Sequence, residues 1–176
     1  MWNEKMFCST VESPLETLTL VSDGDCLTGL WFEGQKHYGA SFLLEACPNL
    51  QIFEEAKLWL ESYFMGYQPA LTFPLRFIGT DFQRAVWQLL QRIPYGFITT
   101  YGELAQSMNL SAKSSRAVGM AVGRNPISII VPCHRVIGAN GKLTGFAAGL
   151  ERKRFLLQLE KGSLTPSPSP KGEGSS

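Results

Sequence analysis

The sequence is poor in the side chains that hold metals and form crosslinks. It has two histidines and four cysteines in 176 residues, and no two cysteines form a CxxC pair. Structural zinc sites and disulfide frameworks draw on several such residues at close spacing. We therefore expect neither a metal nor another cofactor, and we interpret Cys8, Cys26 and Cys47 as reduced filler or surface thiols.

Long apolar runs are also missing. No stretch approaches the roughly 20 residues that span a bilayer, and residues 1–5 lead into no hydrophobic region of a signal peptide. The chain shows no heptad repeat that would favour association between copies. From these features we expect a cytoplasmic protein with no membrane partner, present as a monomer.

The chain has almost no overall excess of either charge, since its formal net charge is +1. The charges are nevertheless distributed unevenly. Residues 1–79 contain four Lys/Arg and ten Asp/Glu, a net charge of −6, whereas residues 80–161 contain eleven and four, a net charge of +7. A basic face is often merely solvated, but a polyanion such as nucleic acid would bind the second region rather than the first.

The first part of the chain, residues 1–79, has the pattern of an antiparallel sheet followed by a helix. Short strands are predicted over residues 5–10, 17–22 and 27–32, with turn signals between them. A helix is predicted from about Leu50 to Phe64, with Gly66 as its stop, and its aromatic side chains are interpreted as core. Residues 68–79, which contain two prolines, form a predicted connector.

The second part, residues 80–162, is predicted to be mainly helical. Thr80 and Gln83 form a capping box ahead of an apolar helix that Pro94 and Gly96 end. Residues 101–108 and 114–123 follow as two short helices at a spacing compatible with a helix-turn-helix. A small hairpin over residues 136–144 and a last helix from about Leu150 to Glu160 complete the pattern.

The helix over residues 114–123 is unusual because it has few large side chains apart from Arg116. Two glycines within a helix cost about 1 kcal/mol each relative to alanine. One explanation is tight packing against the core of the protein. The other is close approach to a ligand, since a helix with small outer residues can lie deep in a groove of DNA.

The most informative segment is Pro132-Cys133-His134-Arg135-Val136, which places a thiol beside an imidazole. Free cysteines are often simply buried. Here, however, the pair lies between Asn125-Pro126 and a glycine-rich segment at residues 145–149. These flanking residues favour loops, and loops often carry functional sites. Because a thiol is mostly protonated at neutral pH, rapid attack needs a neighbouring base. Cys133 is thus a candidate nucleophile and His134 its candidate base.

Seven blocks of the second part occur in a fixed order: Phe82-Gln83-Arg84-Ala85-Val86-Trp87, Ile93-Pro94-Tyr95-Gly96, Thr100-Tyr101-Gly102-Glu103-Leu104-Ala105, Arg116-Ala117-Val118-Gly119, Asn125-Pro126, Ile130-Val131-Pro132-Cys133-His134-Arg135-Val136 and Leu156-Leu157-x-x-Glu160. In content and spacing they resemble the methylated-DNA–protein-cysteine methyltransferases, which repair O-6-alkylguanine in DNA. The resemblance is close over residues 80–162 and loose over residues 1–79.

The resemblance implies a fold of mixed α/β (α+β) class in three regions. Residues 1–79 would form a ribonuclease-H-like antiparallel β-sheet with a helix. Residues 80–162 would form a winged-helix-like DNA-binding domain that carries the active cysteine. The Ser/Pro/Gly-rich tail over residues 163–176 is predicted to be disordered.

The resemblance also implies a reaction and its catalytic residues. Cys133 would attack the alkyl carbon of O-6-alkylguanine, and possible action on O-4-alkylthymine is left open. The thioether would stay on the protein, so that each molecule acts once. His134 would take the thiol proton through a bound water, and Glu160 would orient the imidazole.

Double-stranded DNA containing alkylated guanine is the implied partner, and the damaged base would be flipped out of the duplex. Arg116 would fill the vacated stack, Tyr101 would crowd the adjoining phosphate and help protonate the leaving guanine, and Asn125 would brace the turn beneath Cys133. The full implied sets are DNA-binding residues Tyr101, Arg116, Ala117, Gly119, Asn125, Arg135 and Lys153, and base-pocket residues Val136, Phe146 and Ala147.

The sequence departs from the family pattern at two pocket positions. Phe146 stands where the family usually has tyrosine, and Ala147 offers no hydroxyl. We expect activity to survive the change at Phe146, because an aromatic wall and its backbone N–H remain. For Ala147 the hypothesis is a pocket more permissive toward larger alkyl groups. Three other functions are alternatives to alkyl transfer: a lesion sensor, which would lack the cysteine; a cysteine hydrolase, which would need an oxyanion hole; and a winged-helix regulator, which would leave the thiol unexplained.

Overall fold

The computed structural model describes residues 5–36 and 43–162, and the predicted disordered tail at residues 163–176 lies outside these ranges. The fold is of mixed α/β class, as expected, with a sheet and one helix in the first part and mainly helices in the second. None of the helices in the described ranges is long and apolar enough to cross a membrane.

The first part is built on a four-stranded sheet. Strands β1 (Met6–Ser13), β2 (Glu16–Ser22) and β3 (Leu27–Phe32) pair antiparallel in sequence order, which confirms the predicted meander. A fourth strand, β4 (Leu44–Ala46), pairs parallel with β1 at the edge. The sequence did not reveal β4, because three residues are too few to show an alternating pattern.

One helix, α1 (Gln51–Phe64), packs against this sheet. Its buried residues recur at intervals of three and four, which is the spacing of one helical face: Ile52, Phe53, Ala56, Leu60, Tyr63 and Phe64. The helix begins one residue later than predicted, since Leu50 has an extended backbone. Gly66, with φ of 91°, lies just after its end, where the left-handed region favours glycine.

Three helices open the second part: α2 (Asp81–Leu90), α3 (Tyr101–Ser107) and α4 (Ser115–Gly123). The predicted capping box is present, because Thr80 Oγ1 accepts from Gln83 N at 3.1 Å and Gln83 Oε1 accepts from Thr80 N at 3.0 Å. The indole of Trp87 donates to the carbonyl of Ala121 at 2.8 Å, which fixes α2 against α4.

The hairpin predicted over residues 136–144 is wrong. Strand β6 (Val136–Ile137) pairs parallel with β5 (Thr99–Thr100) instead, and residues 142–144 form no strand. What remains of the hairpin is a tight turn in which Gly138 N donates to the Lys142 carbonyl at 2.9 Å. The last helix, α5 (Leu150–Glu160), has the predicted bounds.

One cluster of buried side chains runs through both parts of the chain. It includes Phe53 and Tyr63 of α1 together with Val86 of α2 and Leu156 of α5. Cys133 belongs to the same cluster. The candidate nucleophile is therefore supported by side chains from both parts of the chain.

Candidate active site

The segment before Cys133 is irregular and is held by one buried amide side chain. Asn125 Nδ2 donates to the Val131 carbonyl at 2.8 Å and to the Ile127 carbonyl at 3.3 Å, while its Oδ1 accepts from Ile127 N at 3.0 Å. Ile129 has φ of 71°, which is strained for a β-branched residue. Asn125 thus braces this turn, and because it is buried it does not face DNA, which corrects its place among the predicted DNA-binding residues.

Replacing Asn125 by alanine should lower the free energy of unfolding by about 2–4 kcal/mol, because the change leaves an N–H and two carbonyls of a buried segment without that partner. Urea denaturation would measure the loss. Asn140→Ala in the exposed turn is the matched control and should change stability by less than about 1 kcal/mol. Equal losses in the two variants would contradict the bracing role.

Cys133, His134 and Arg135 form one 3-10 turn, and all three side chains are buried. Burial raises the pKa of the Cys133 thiol, whereas the Asn125 side chain and the charge of Lys153 lower it to a smaller extent. The thiol is therefore protonated at rest. A reaction at this sulfur needs a group that takes the proton away.

His134 is fully buried and is bound at one ring nitrogen. Its Nε2 lies 2.6 Å from Oε2 of Glu160. Burial lowers the pKa of His134, although the hydrogen bond and charge of Glu160 oppose this shift. A neutral ring facing a carboxylate carries its proton on Nε2, so Nδ1 is an acceptor. Nδ1 is buried and has no hydrogen-bond partner within the described part of the chain.

Glu160 is the most heavily bonded side chain of the site. Besides His134, its carboxylate accepts from Arg135 Nε at 2.8 Å, Arg135 Nη2 at 3.0 Å, Gly96 N at 3.1 Å and the Tyr63 hydroxyl at 2.6 Å. Burial by itself would raise the pKa of Glu160, but its bonds to His134 and Arg135 together hold the pKa well below its usual value. Glu160 is therefore a carboxylate at neutral pH.

The structure corrects the predicted role of Arg135 in DNA binding. Its side chain is buried, pairs with Glu160 through two nitrogens and donates through Nη1 to the Ile93 carbonyl at 2.6 Å. The guanidinium also lies 5.7 Å from the centre of the Tyr95 ring. With these partners inside the protein, Arg135 is not available to a phosphate.

The predicted role of Lys153 in DNA binding is corrected for the same reason. Lys153 is 1% exposed, and its Nζ donates to the carbonyls of Val136 at 2.5 Å and Thr144 at 2.8 Å. Burial lowers the pKa of Lys153 to about 8, against an opposing effect of Cys133. Together with Arg135 and Glu160 it leaves these three side chains with one surplus positive charge, and the charge of Lys153 favours a thiolate at Cys133.

Two of the predicted base-pocket residues, Phe146 and Ala147, lie near Cys133. A small cavity of about 10 Å³ is lined by Cys133, Phe146 and Ala147 among others. It adjoins an open cleft of about 410 Å³ that is lined by Phe146, Ala147 and Met120 of α4, among others. The small cavity cannot hold a purine, so a base would have to displace part of the segment around Phe146.

Tyr101 lies beside Gly145, which lines both cavities, whereas Val136 lines neither of them. The Tyr101 hydroxyl donates to the Thr144 carbonyl at 3.0 Å, and it would lie 3.0 Å from a Cβ added at Gly145. Gly145 also has φ of 68°, so a side chain at this position would be both crowded and strained. Val136 is fully buried, and its carbonyl binds Lys153.

The outer face of α4 distinguishes between the two explanations for its small residues, which are packing against the core and close approach of a ligand. Arg116 and Ala117 are exposed and Gly119 is half-buried. A Cβ at Gly119 would make ordinary contact with the Tyr101 ring at 3.5 Å, and one at Gly123 would meet open space. Packing within the protein therefore requires neither glycine, which favours close approach of a ligand.

Tyr63 is a residue of the site that was not predicted from the sequence. It lies on α1 in the first part, yet its hydroxyl binds Glu160. The available signal was its position on the buried face of α1, because a buried tyrosine hydroxyl needs a partner.

Models of two related domains match the chain. One is described as "6-O-methylguanine DNA methyltransferase, ribonuclease-like domain" and matches residues 6–77. The other is described as "6-O-methylguanine DNA methyltransferase, DNA binding domain" and matches residues 81–162. Together they cover most of the sequence.

Individual proteins are similar over nearly the same range. The methylated-DNA–protein-cysteine methyltransferase of Haemophilus influenzae is 48% identical over 85% of this chain and 83% of its own length. That of Methanosarcina acetivorans is 47% identical over 88% and 98%. The crystal structure of Mycobacterium tuberculosis OGT in complex with DNA superimposes with a TM-score of 0.78 at 42% identity, covering 94% of this chain and 96% of that one.

Proposed function

The chain belongs to the methylated-DNA–protein-cysteine methyltransferases, and from this membership we propose that Cys133 is the cysteine that accepts the alkyl group. The enzyme is a DNA repair protein that transfers a methyl group from O-6-methylguanine in DNA to one of its own cysteines.

The observation that supports Cys133 most strongly is its place beside a buried histidine–carboxylate pair, with His134 Nε2 2.6 Å from Glu160 Oε2. Cys8, Cys26 and Cys47 are partly exposed and lie in the first part of the chain. Among the described residues, Cys133 is thus the thiol with an adjacent base and a carboxylate that orients it.

The proposed reaction begins with proton transfer. The Cys133 thiol gives its proton through a bound water to Nδ1 of His134, the ring nitrogen that Glu160 leaves free to accept it. Glu160 then stabilises the imidazolium. The thiolate attacks the alkyl carbon, a sulfur–carbon bond forms, and the bond between that carbon and guanine O6 breaks.

The leaving guanine keeps the bonding electrons and takes up a proton, which Tyr101 would help to deliver. The product on the protein is a thioether. Thioethers are not cleaved by a neighbouring base, so each protein molecule would act once. Action on O-4-alkylthymine would use the same displacement.

The partner is double-stranded DNA containing the alkylated guanine, and we infer that α4 docks in its minor groove. The small outer residues Ala117 and Gly119 permit close approach, and exposed Arg116 can enter the stack that the flipped base vacates. The division into domains at residues 1–79 and 80–162, the cytoplasmic location and the monomeric state stay predictions from the sequence.

The test is mass spectrometry of the intact protein and its peptides after mixing with one equivalent of duplex that contains a single O-6-methylguanine. We expect one methyl group on the peptide containing Cys133, and no further repair when excess duplex is added. Cys133→Ala is the control and should bind the duplex without gaining mass. Methylation at another cysteine, or repair of several duplexes per protein, would refute the assignment. DNA binding without any mass change would indicate a lesion sensor.

A further inference from the structure

We propose that Tyr63 is a positioning residue for alkyl transfer: its hydroxyl holds Oε2 of Glu160 so that the carboxylate keeps the His134 imidazole in the tautomer that accepts the thiol proton. The inference rests on the proposed roles of Cys133 and His134. Tyr63 lies on α1, 97 residues before Glu160, so the first part of the chain would contribute to the active site.

The hydroxyl of Tyr63 has one short partner in the site. It donates to Oε2 of Glu160 at 2.6 Å, whereas His134 Nε2 lies 3.4 Å away. Nε2 carries a proton, so it cannot accept a hydrogen bond from the Tyr63 hydroxyl. Burial, then the charge of Glu160, raises the pKa of Tyr63 well above its usual value. The phenol is therefore a neutral donor at neutral pH.

The ring of Tyr63 is fixed independently of its hydroxyl. It stacks on Trp59 with ring centres 5.4 Å apart and an interplanar angle of 8°. It also makes edge contacts with Phe64 at 5.4 Å and Tyr95 at 6.1 Å. Because these contacts involve only the ring, Tyr63→Phe removes one hydrogen bond and preserves the packing.

Removing the hydroxyl has a predictable consequence for His134. Oε2 of Glu160 is shared by the Tyr63 hydroxyl, His134 Nε2 and Arg135 Nη2. Without the phenol, more of the carboxylate charge acts on the imidazole, and protonated His134 becomes more stable. The pKa of His134 should therefore rise in Tyr63→Phe.

Other ionisable groups near His134 do not reverse this direction. The charges of Arg135 and Lys153 lower the pKa of His134 in both proteins. Tyr95 and Tyr101 have raised pKa values, caused first by burial, and stay neutral, as does the Cys133 thiol. The hydroxyl of Tyr63 is thus the group that changes between the wild type and the variant.

Histidine NMR tests the proposal directly. The chain has two histidines, His37 and His134, so ring ¹⁵N signals can be assigned with a His134→Gln sample. We expect the pKa of His134 to rise by at least about 0.5 in Tyr63→Phe. Tyr95→Phe is the matched control, since it also removes a hydroxyl from the same aromatic group but not one bonded to Glu160. It should leave the titration of His134 unchanged.

Single-turnover methyl transfer to Cys133 between pH 5.5 and 8.5 gives the second readout. Because protonated His134 cannot act as a base, Tyr63→Phe should lose more activity at pH 6 than at pH 8, by up to about threefold for each 0.5 by which the pKa of His134 rises. A general weakening of the fold would lower the rate equally at both. Tyr63→Leu, which also lacks the hydroxyl, should shift the titration of His134 in the same direction.

The two readouts separate the possible failures. An unchanged His134 titration in both Tyr63 variants would overturn the role of Tyr63, whatever the activity. If the wild type transferred no methyl group, the proposed function would fail, but the titration would still decide whether Tyr63 acts on His134 through Glu160.

Discussion

Glu160→Gln should slow the alkylation of Cys133 by about 10³-fold or more while DNA binding is retained. The reason is the tautomer of His134. Glu160 Oε2 accepts the proton on Nε2 at 2.6 Å. A glutamine amide can present its NH₂ group there, in which case Nε2 becomes the acceptor and Nδ1 carries the proton. The imidazole could then no longer receive a proton from the thiol.

The same substitution should lower the free energy of unfolding by about 3–5 kcal/mol at pH 7, because it leaves the buried guanidinium of Arg135 without its counter-charge. Single-turnover assays at a temperature at which the variant is fully folded separate the effect on rate from the effect on stability. Glu151→Gln, an exposed position on α5, is the control and should match the wild type.

The stability difference between wild type and Glu160→Gln depends on pH in a defined direction. The pKa of Glu160 is held below its ordinary value in the folded protein, so its stabilisation is complete above the unfolded pKa of about 4.3 and is lost as pH falls below it. Urea denaturation at pH 7 and pH 3.5 should therefore show a smaller difference at the lower pH. For the alkylation of Cys133, a rate loss below about tenfold in Glu160→Gln would contradict the role of Glu160 in setting the tautomer of His134.

Local sequence rules predicted those parts of the fold that depend on neighbouring residues. The capping box of Thr80 and Gln83 marks the start of α2, and the spacing of apolar residues gave α1 and α5 to within a residue. The parallel pairing of β5 with β6 and the short edge strand β4 were missed, because partners distant along the chain decide them.

The candidate site was likewise predicted only where residues close together in the sequence determine it. A thiol beside an imidazole identified Cys133 and His134, but Glu160 entered through resemblance and Tyr63 was not found. Two of the corrected assignments treated basic residues as surface charges. For Lys153 a local signal existed, since Lys153, Leu156, Leu157 and Glu160 follow the spacing of one helical face and all four are buried. For Arg135 the partner is 25 residues away, and no local pattern predicts it.

Lys153→Met should slow alkylation of Cys133 by about tenfold to a hundredfold at pH 7, which corresponds to a rise of one to two in the pKa of the thiol. The positive charge of Lys153 lowers the pKa of Cys133, against the larger effect of burial. Methionine keeps most of the buried side-chain volume but has no charge. Reaction with free O-6-benzylguanine, followed by mass spectrometry, measures the rate without any contribution from DNA binding.

The pH dependence separates the charge of Lys153 from its packing. Its pKa is about 8, so raising the pH above 8 removes the charge from the wild type but changes nothing at the uncharged methionine of the variant. The ratio of wild-type to variant rate should therefore be largest below pH 8 and fall above it. Arg154→Met, an exposed cation on the same helix, should keep wild-type rates throughout. A ratio that stayed constant from pH 6.5 to 9.5 would mean that Lys153 acts by holding the Val136 and Thr144 carbonyls, and that the thiolate is stabilised by other groups.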